Sequence, residues 1–146
     1  MRAVQLGKSR ELAVVDRPLR DLNSHEVRID VGYCGICGSD LHMRDVVDPG
    51  AIFGHEFAGK VCETGNSVAD WSIGDAVAVL IYTNCGQCAY CQSGNENQCM
   101  AGGHHGDVIG VQIPGGYSES VIADEDCLFA LPAGVSVRHG ALTEPV

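Results

Sequence analysis

Apolar and polar positions alternate over Val27, Ile29, Val31 and Tyr33, and more briefly over Leu12 and Val14. A period of two predicts half-buried β-strands at both places. Short apolar runs at residues 57–62, 76–81, 117–123 and 127–131 are further strand candidates. Turn residues punctuate them at Glu63-Thr64-Gly65-Asn66 and Ser72-Ile73-Gly74-Asp75, as tight connections require. No long apolar stripe recurs every 3.6 residues. The best short helix opens on Ser39 as N-cap and runs through Asp40, Leu41, His42 and Met43. Several short strands with glycine-rich turns predict a mainly β fold with short helices, a barrel or a sandwich. Cys62 and Cys127 fall in strands and are expected in the core. Trp71, beside a turn, is expected to cover an end of the barrel, and His25 and His139 to lie at the surface.

The 146 residues suit one domain, and 45% hydrophobic with 19% charged residues is ordinary for a globular chain. Nine Lys and Arg against nineteen Asp and Glu leave a net charge of −10, which repels phosphate backbones and anionic membrane surfaces. Neither nucleic acid nor a membrane is therefore an expected partner. The longest apolar run, residues 76–82, is far short of the roughly 20 residues that span a bilayer. Residues 1–5 contain no apolar segment of the secretory kind, so a cytoplasmic location is expected. The apolar ending Leu142-Thr143-Glu144-Pro145-Val146 suggests that the polypeptide continues.

Four of the eight cysteines, Cys85, Cys88, Cys91 and Cys99, fall within fifteen residues in a C-x2-C-x2-C-x7-C pattern. Structural zinc needs four soft thiolates on a tetrahedron, and two-residue gaps let one tight loop bring successive sulfurs onto one ion. Asn84, Gly86, Gly94, Asn95 and Asn97 supply turn residues for such a lobe, spanning 84–100. Plain buried or disulfide-paired cysteines, and an iron–sulfur cluster, compete with this reading. Ferredoxin-type clusters usually carry proline after a later cysteine, and Met100 follows Cys99 here.

A second group is weaker piece by piece. Cys37-Gly38-Ser39-Asp40-Leu41-His42 is followed, eighteen residues after Cys37, by His55-Glu56. Together they offer one thiolate, one imidazole and carboxylates, which suits a catalytic zinc with an open position. Asp40 and Glu56 could instead orient His55 or tune the metal's charge. Ser39 and His42 are three apart and share a face on a helical turn, as a proton relay would require. Ser39 could equally be only a helix cap.

Gly35-Ile36-Cys37-Gly38-Ser39-Asp40-Leu41-His42, Gly54-His55-Glu56-Phe57-Ala58-Gly59, the four-cysteine lobe and Gly115-Gly116-Tyr117-Ser118-Glu119 occur in that order. The combination resembles the zinc-dependent medium-chain alcohol dehydrogenase family, and more the sorbitol and threonine dehydrogenase branches than others. The resemblance implies that residues 1–146 are a GroES-like β-barrel, the N-terminal catalytic domain of such enzymes. It implies Cys37 and His55 as ligands of a catalytic zinc, Glu56 as a ligand or exchanging carboxylate, and Glu144 close to the same metal. Asp40 would stand behind His55, and a second zinc would fill the cysteine lobe. An alcohol or polyol would lose its proton through Ser39 and His42 and its hydride to a nicotinamide. Family members imply NAD or NADP as cofactor and a homo-oligomeric full-length protein. Cys34 makes a further C-x2-C with Cys37 and is read as a small core residue, with a disulfide to Cys37 on oxidation as the alternative.

A dinucleotide fingerprint, G-x-G-x-x-G opening a helix, does not occur. The dense glycine clusters Gly102-Gly103-His104-His105-Gly106 and Gly115-Gly116 do not open helices. The family's nucleotide-binding Rossmann domain would begin just after Glu144-Pro145, so the chain by itself is expected to lack dehydrogenase activity. Two further readings compete: a zinc-stabilised structural or interaction module, and a redox protein that cycles between zinc and disulfides.

Overall fold

The computed structural model describes residues 1–82, 85–95, 98–101 and 108–145. Asn84, Asn97, His104 and His105 lie outside them.

Among the described residues the chain is mainly β, with short helices. β1 (Arg2–Leu6) and β2 (Leu12–Asp16) form an antiparallel hairpin. β3 (Glu26–Cys34), β4 (Phe57–Thr64), β5 (Ala76–Val79), β6 (Ser120–Asp124) and β7 (Leu128–Ala130) form an antiparallel sheet in the order β6-β3-β4-β5-β7. Among the described residues three short α-helices interrupt them: α1 (Gly38–Met43), α2 (Ala89–Gln92) and α3 (Val137–Gly140). The hairpin is tied to the sheet's end by main-chain bonds, Val4 N–H to Tyr117 O at 2.7 Å and Leu6 N–H to Ala51 O at 2.9 Å.

The alternation in β3 works as its pattern requires. Val27 and Ile29 are fully buried against Val61, Val121 and Ala123. Arg28, on the opposite face, is buried too, but its Nε donates to Glu63 at 2.7 Å and its Nη2 to the Arg20 carbonyl at 2.6 Å. A buried charge without such partners would cost several kcal/mol. Cys127 is buried in the core and Cys62 half-buried. Trp71 packs on the core edge and donates its indole N–H to Glu125 O. His25 and His139 are exposed.

Three features were not expected from the sequence. β1 shows no sequence alternation because it buries only Ala3 and Leu6; pairing with β2 makes it a strand. The strand expected from residue 117 begins at Ser120, with residues 117–119 bonded instead to β1 and β3. α1 is capped by Cys37 rather than Ser39. The reason is Asp40, whose Oδ2 accepts the Cys37 main-chain N–H at 2.9 Å, a carboxylate satisfying the first orphan donor of the helix.

The pairing of β3 with β4 prepares the site. Their register runs out at Cys34 opposite Phe57, and Gly35 N–H then bonds Glu56 O at 2.7 Å. The segment that follows β3 is thereby laid beside the one that precedes β4. Residues 115–117 fasten the latter from outside: Gly115 N–H to Ile52 O, Gly116 N–H to Gly54 O and Tyr117 N–H to Phe53 O.

Candidate metal centres

In the lobe, Cys85, Cys88, Cys91 and Cys99 place their four sulfurs within 4.8 Å of one another. The Cys88–Cys91 and Cys85–Cys91 separations are 3.5 and 3.9 Å. A tetrahedron with metal–sulfur bonds of about 2.3 Å has edges of about 3.8 Å, so the donor set fits zinc. All eight cysteines of the chain are free thiols. Main-chain amides of Cys91 and Met100 lower the Cys88 thiol to about 6, and the amide of Cys85, 3.3 Å from the Cys99 sulfur, lowers that thiol as well. Burial pushes Cys91 the other way. Amides aimed at sulfur favour the thiolate, the form that binds metal.

The second group is assembled at the mouth between β3 and β4. One donor atom each of Cys37, His55 and Glu56 lies within 4.8 Å of the others, all half-buried. Cys37 comes from the start of α1, while His55 and Glu56 come from the two residues before β4. Soft sulfur, imidazole nitrogen and a carboxylate suit zinc with a fourth position open. Asp40, 6% exposed, lies behind them with Oδ1 at 3.4 Å from His55 Nδ1, where a carboxylate can orient a ligand histidine. Ser39 Oγ stands 3.3 Å from the other ring nitrogen, Nε2. His42 is exposed on α1, and the Ser39 hydroxyl turns to His55 rather than to it.

Glu144 is not among these three donors. It lies half-buried on the wall of a 430 Å³ cavity with Thr143, Leu131 and residues 78–82. Cys34 is packed against the core, and burial, with the Asp40 and Glu56 charges nearby, raises its thiol to about 12. It therefore stays protonated, in keeping with a core residue.

Two features of this site had no role in the sequence reading. The Tyr117 hydroxyl donates to Asp40 Oδ2 at 2.8 Å; burial first, then that bond, raises the phenol's pKa, so it remains a donor. Gly54, at φ +94°, leaves room for the Tyr117 ring, since a Cβ there would stand 2.7 Å from Tyr117 Cδ1. The Gly-Gly-Tyr run at 115–117 was the available signal, but nothing local ties a tyrosine there to Asp40.

Comparison with known proteins follows the same outline. The alcohol dehydrogenase GroES-like domain family matches residues 23–133. A sorbitol dehydrogenase of Halalkalibacterium halodurans is 40% identical over 138 residues, 92% of this chain and 39% of the relative. The crystal structure of galactitol-1-phosphate dehydrogenase from Escherichia coli superposes with a TM-score of 0.90 at 30% identity, over 99% of this chain and 42% of that one. An alcohol dehydrogenase from Escherichia coli CFT073, solved with NADH, gives 0.87 at 31% identity over 99% and 42%. The chain thus spans about 40% of the length of these relatives. Among the described residues no helix is long and apolar enough to cross a membrane. With the match covering most of its length and the mainly β fold shared, the chain belongs to the alcohol dehydrogenase GroES-like domain family.

Proposed function

We propose that this chain is the catalytic-domain portion of a zinc-dependent, NAD(P)-linked dehydrogenase of a small alcohol or polyol. The observation that carries the reading is the convergence of Cys37, His55 and Glu56, separate from the four-cysteine lobe. A module stabilised by metal needs only the lobe. A second donor set that leaves a coordination position open is the mark of a catalytic centre. The sorbitol dehydrogenase relative and the structural relative solved with NADH support the substrate class and the cofactor.

Zinc, when held by Cys37, His55 and Glu56, supplies a Lewis acid that eases loss of the substrate hydroxyl proton. The chain's own residues do the rest. Asp40, with Oδ1 3.4 Å from His55 Nδ1, stands behind the ring, and Nε2 faces Ser39. Ser39, exposed beside that nitrogen, would accept the substrate hydroxyl proton as it turns from His55 and gives its own proton to His42, three residues on and exposed, which releases a proton to solvent. NAD(P), when bound, would supply a nicotinamide as the hydride acceptor. This chain carries no dinucleotide fingerprint, so alone it binds metal but does not turn over alcohols.

Elemental analysis of protein purified without chelator tests the reading. Two zinc ions per chain are expected, falling to one in Cys37→Ser. One zinc in the unaltered chain would overturn it.

A further inference from the structure

Tyr117 takes no part in the proton path, yet its hydroxyl ends on Asp40, a carboxylate that touches two members of the Cys37–His55–Glu56 group. Asp40 Oδ2 receives two donors, the Cys37 N–H at 2.9 Å and the Tyr117 hydroxyl at 2.8 Å, and its Oδ1 stands 3.4 Å from His55 Nδ1. The two sides of this junction differ in rigidity. Asp40 sits on a single helical turn whose Gly38, Ser39, Leu41 and His42 are all exposed. Tyr117 is held on three sides. Its N–H donates to Phe53 O at 2.9 Å, its carbonyl accepts from Val4 N–H at 2.7 Å, and its ring lies against Gly54. Without the phenol, Asp40 keeps only an amide of its own helix and a long contact to the ring it must orient.

We propose that Tyr117 is a positioning residue for the metal centre: through Asp40 it sets the His55 ring and ties the start of α1, and so Cys37, to the 115–117 strap. The inference rests on the reading of Cys37, His55 and Glu56 as a metal site. Partners of a ligand histidine typically change metal affinity 10- to 100-fold. Tyr117 is one hydrogen bond further out, so a loss of about tenfold, the lower end of that range, is expected.

Tyr117→Phe keeps the ring against Gly54 and removes only the hydroxyl. Zinc and Co²⁺ are titrated into this chain against a chromophoric chelator, with the four-cysteine lobe as internal control. The expected result is about a tenfold loss at the Cys37–His55–Glu56 site, a shifted Co²⁺ absorption for that site, and an unchanged lobe. In an Asp40→Ala background the same substitution should add less than about twofold, because Tyr117 acts through Asp40. Merely loosened packing would weaken both sites and add to the Asp40→Ala loss. Unchanged affinity and absorption at the Cys37–His55–Glu56 site, equal losses at both sites, or additivity with Asp40→Ala each overturn the proposal. If the unaltered chain binds metal at the lobe alone, the metal-site reading itself falls; two sites with an unaffected Tyr117→Phe sink only the role of Tyr117.

Discussion

Gly35→Ala separates the contribution of Glu56 to the metal centre from its contribution to the fold. Gly35 does not have a positive φ, so alanine fits its backbone, and the Gly35 N–H to Glu56 O bond of 2.7 Å can persist. The added Cβ, however, would overlap Glu56 Oε2 and stand 3.1 Å from its Cβ and 3.3 Å from its Cδ. The carboxylate is the free end of a flexible side chain, and it must retreat by about 1 Å to restore ordinary non-bonded separation. Metal ligands tolerate about 0.2 Å. Glu56 is therefore driven out of ligand range while Cys37 and His55 stay in place. Affinity at this site should fall at least tenfold, about 1.4 kcal/mol, with the cysteine lobe unaffected. The metal-free chain should lose less than about 1 kcal/mol, a melting shift of about 4 °C or less. Chelator competition reads the first quantity and thermal unfolding of the apo chain the second. Unchanged affinity would refute a ligand role for Glu56. A melting loss above about 8 °C would show that the backbone, not the carboxylate, had given way.

Other perturbations probe separate parts of the molecule. Cys91→Ser replaces the most buried sulfur of the lobe by a poor ligand for zinc. One metal ion per chain should be lost and residues 85–95 should become cleavable by protease, since structural zinc contributes on the order of 10 kcal/mol to local folding; retention of both ions counts against the lobe. Gly54→Ala places a side chain at φ +94° and brings its Cβ within 2.7 Å of the Tyr117 ring and main-chain nitrogen. It should destabilise by about 3 kcal/mol in urea unfolding, and a loss under about 1 kcal/mol would contradict the packing described. Glu26 is held down to about 2, chiefly by the Arg20 guanidinium. A carboxylate lowered on folding stabilises above its unfolded value and loses that contribution as pH falls towards the folded one. Screened by solvent around Arg20, the pair is worth about 1 kcal/mol. Glu26→Gln should show that deficit at pH 7, and the gap should close between about pH 4.5 and 2; a pH-independent gap would mean that something other than charge is lost.

Two parts of the molecule were readable from local pattern because their physics is local. In C-x2-C-x2-C-x7-C, the short loops leave the sulfurs little choice but to meet, and spacing alone pointed to the lobe where Cys85, Cys88, Cys91 and Cys99 converge. In β3, one face of the strand buries Val27 and Ile29, so the alternation is the imprint of burial itself. The start of α1 shows where such reading stops. Ser39 is a good cap by type, but the Asp40 carboxylate takes the Cys37 amide and the Ser39 hydroxyl faces His55.

By itself, then, the order of residues determined a mainly β chain, the composition of the cysteine lobe and the residue types of a second metal-capable group. Only the tertiary structure decided which of those types meet. Cys37 and His55 are eighteen residues apart and become neighbours because β3 and β4 pair antiparallel and run out of register together at Cys34 and Phe57. Glu144, of the same chemical type as Glu56, lies instead beside β5 and β7. Tyr117 reaches Asp40 across 77 positions of sequence, through a strap fastened by main-chain bonds. Contacts at such separation are set by strand pairing and by the absence of a Cβ at Gly54, and no periodicity records them.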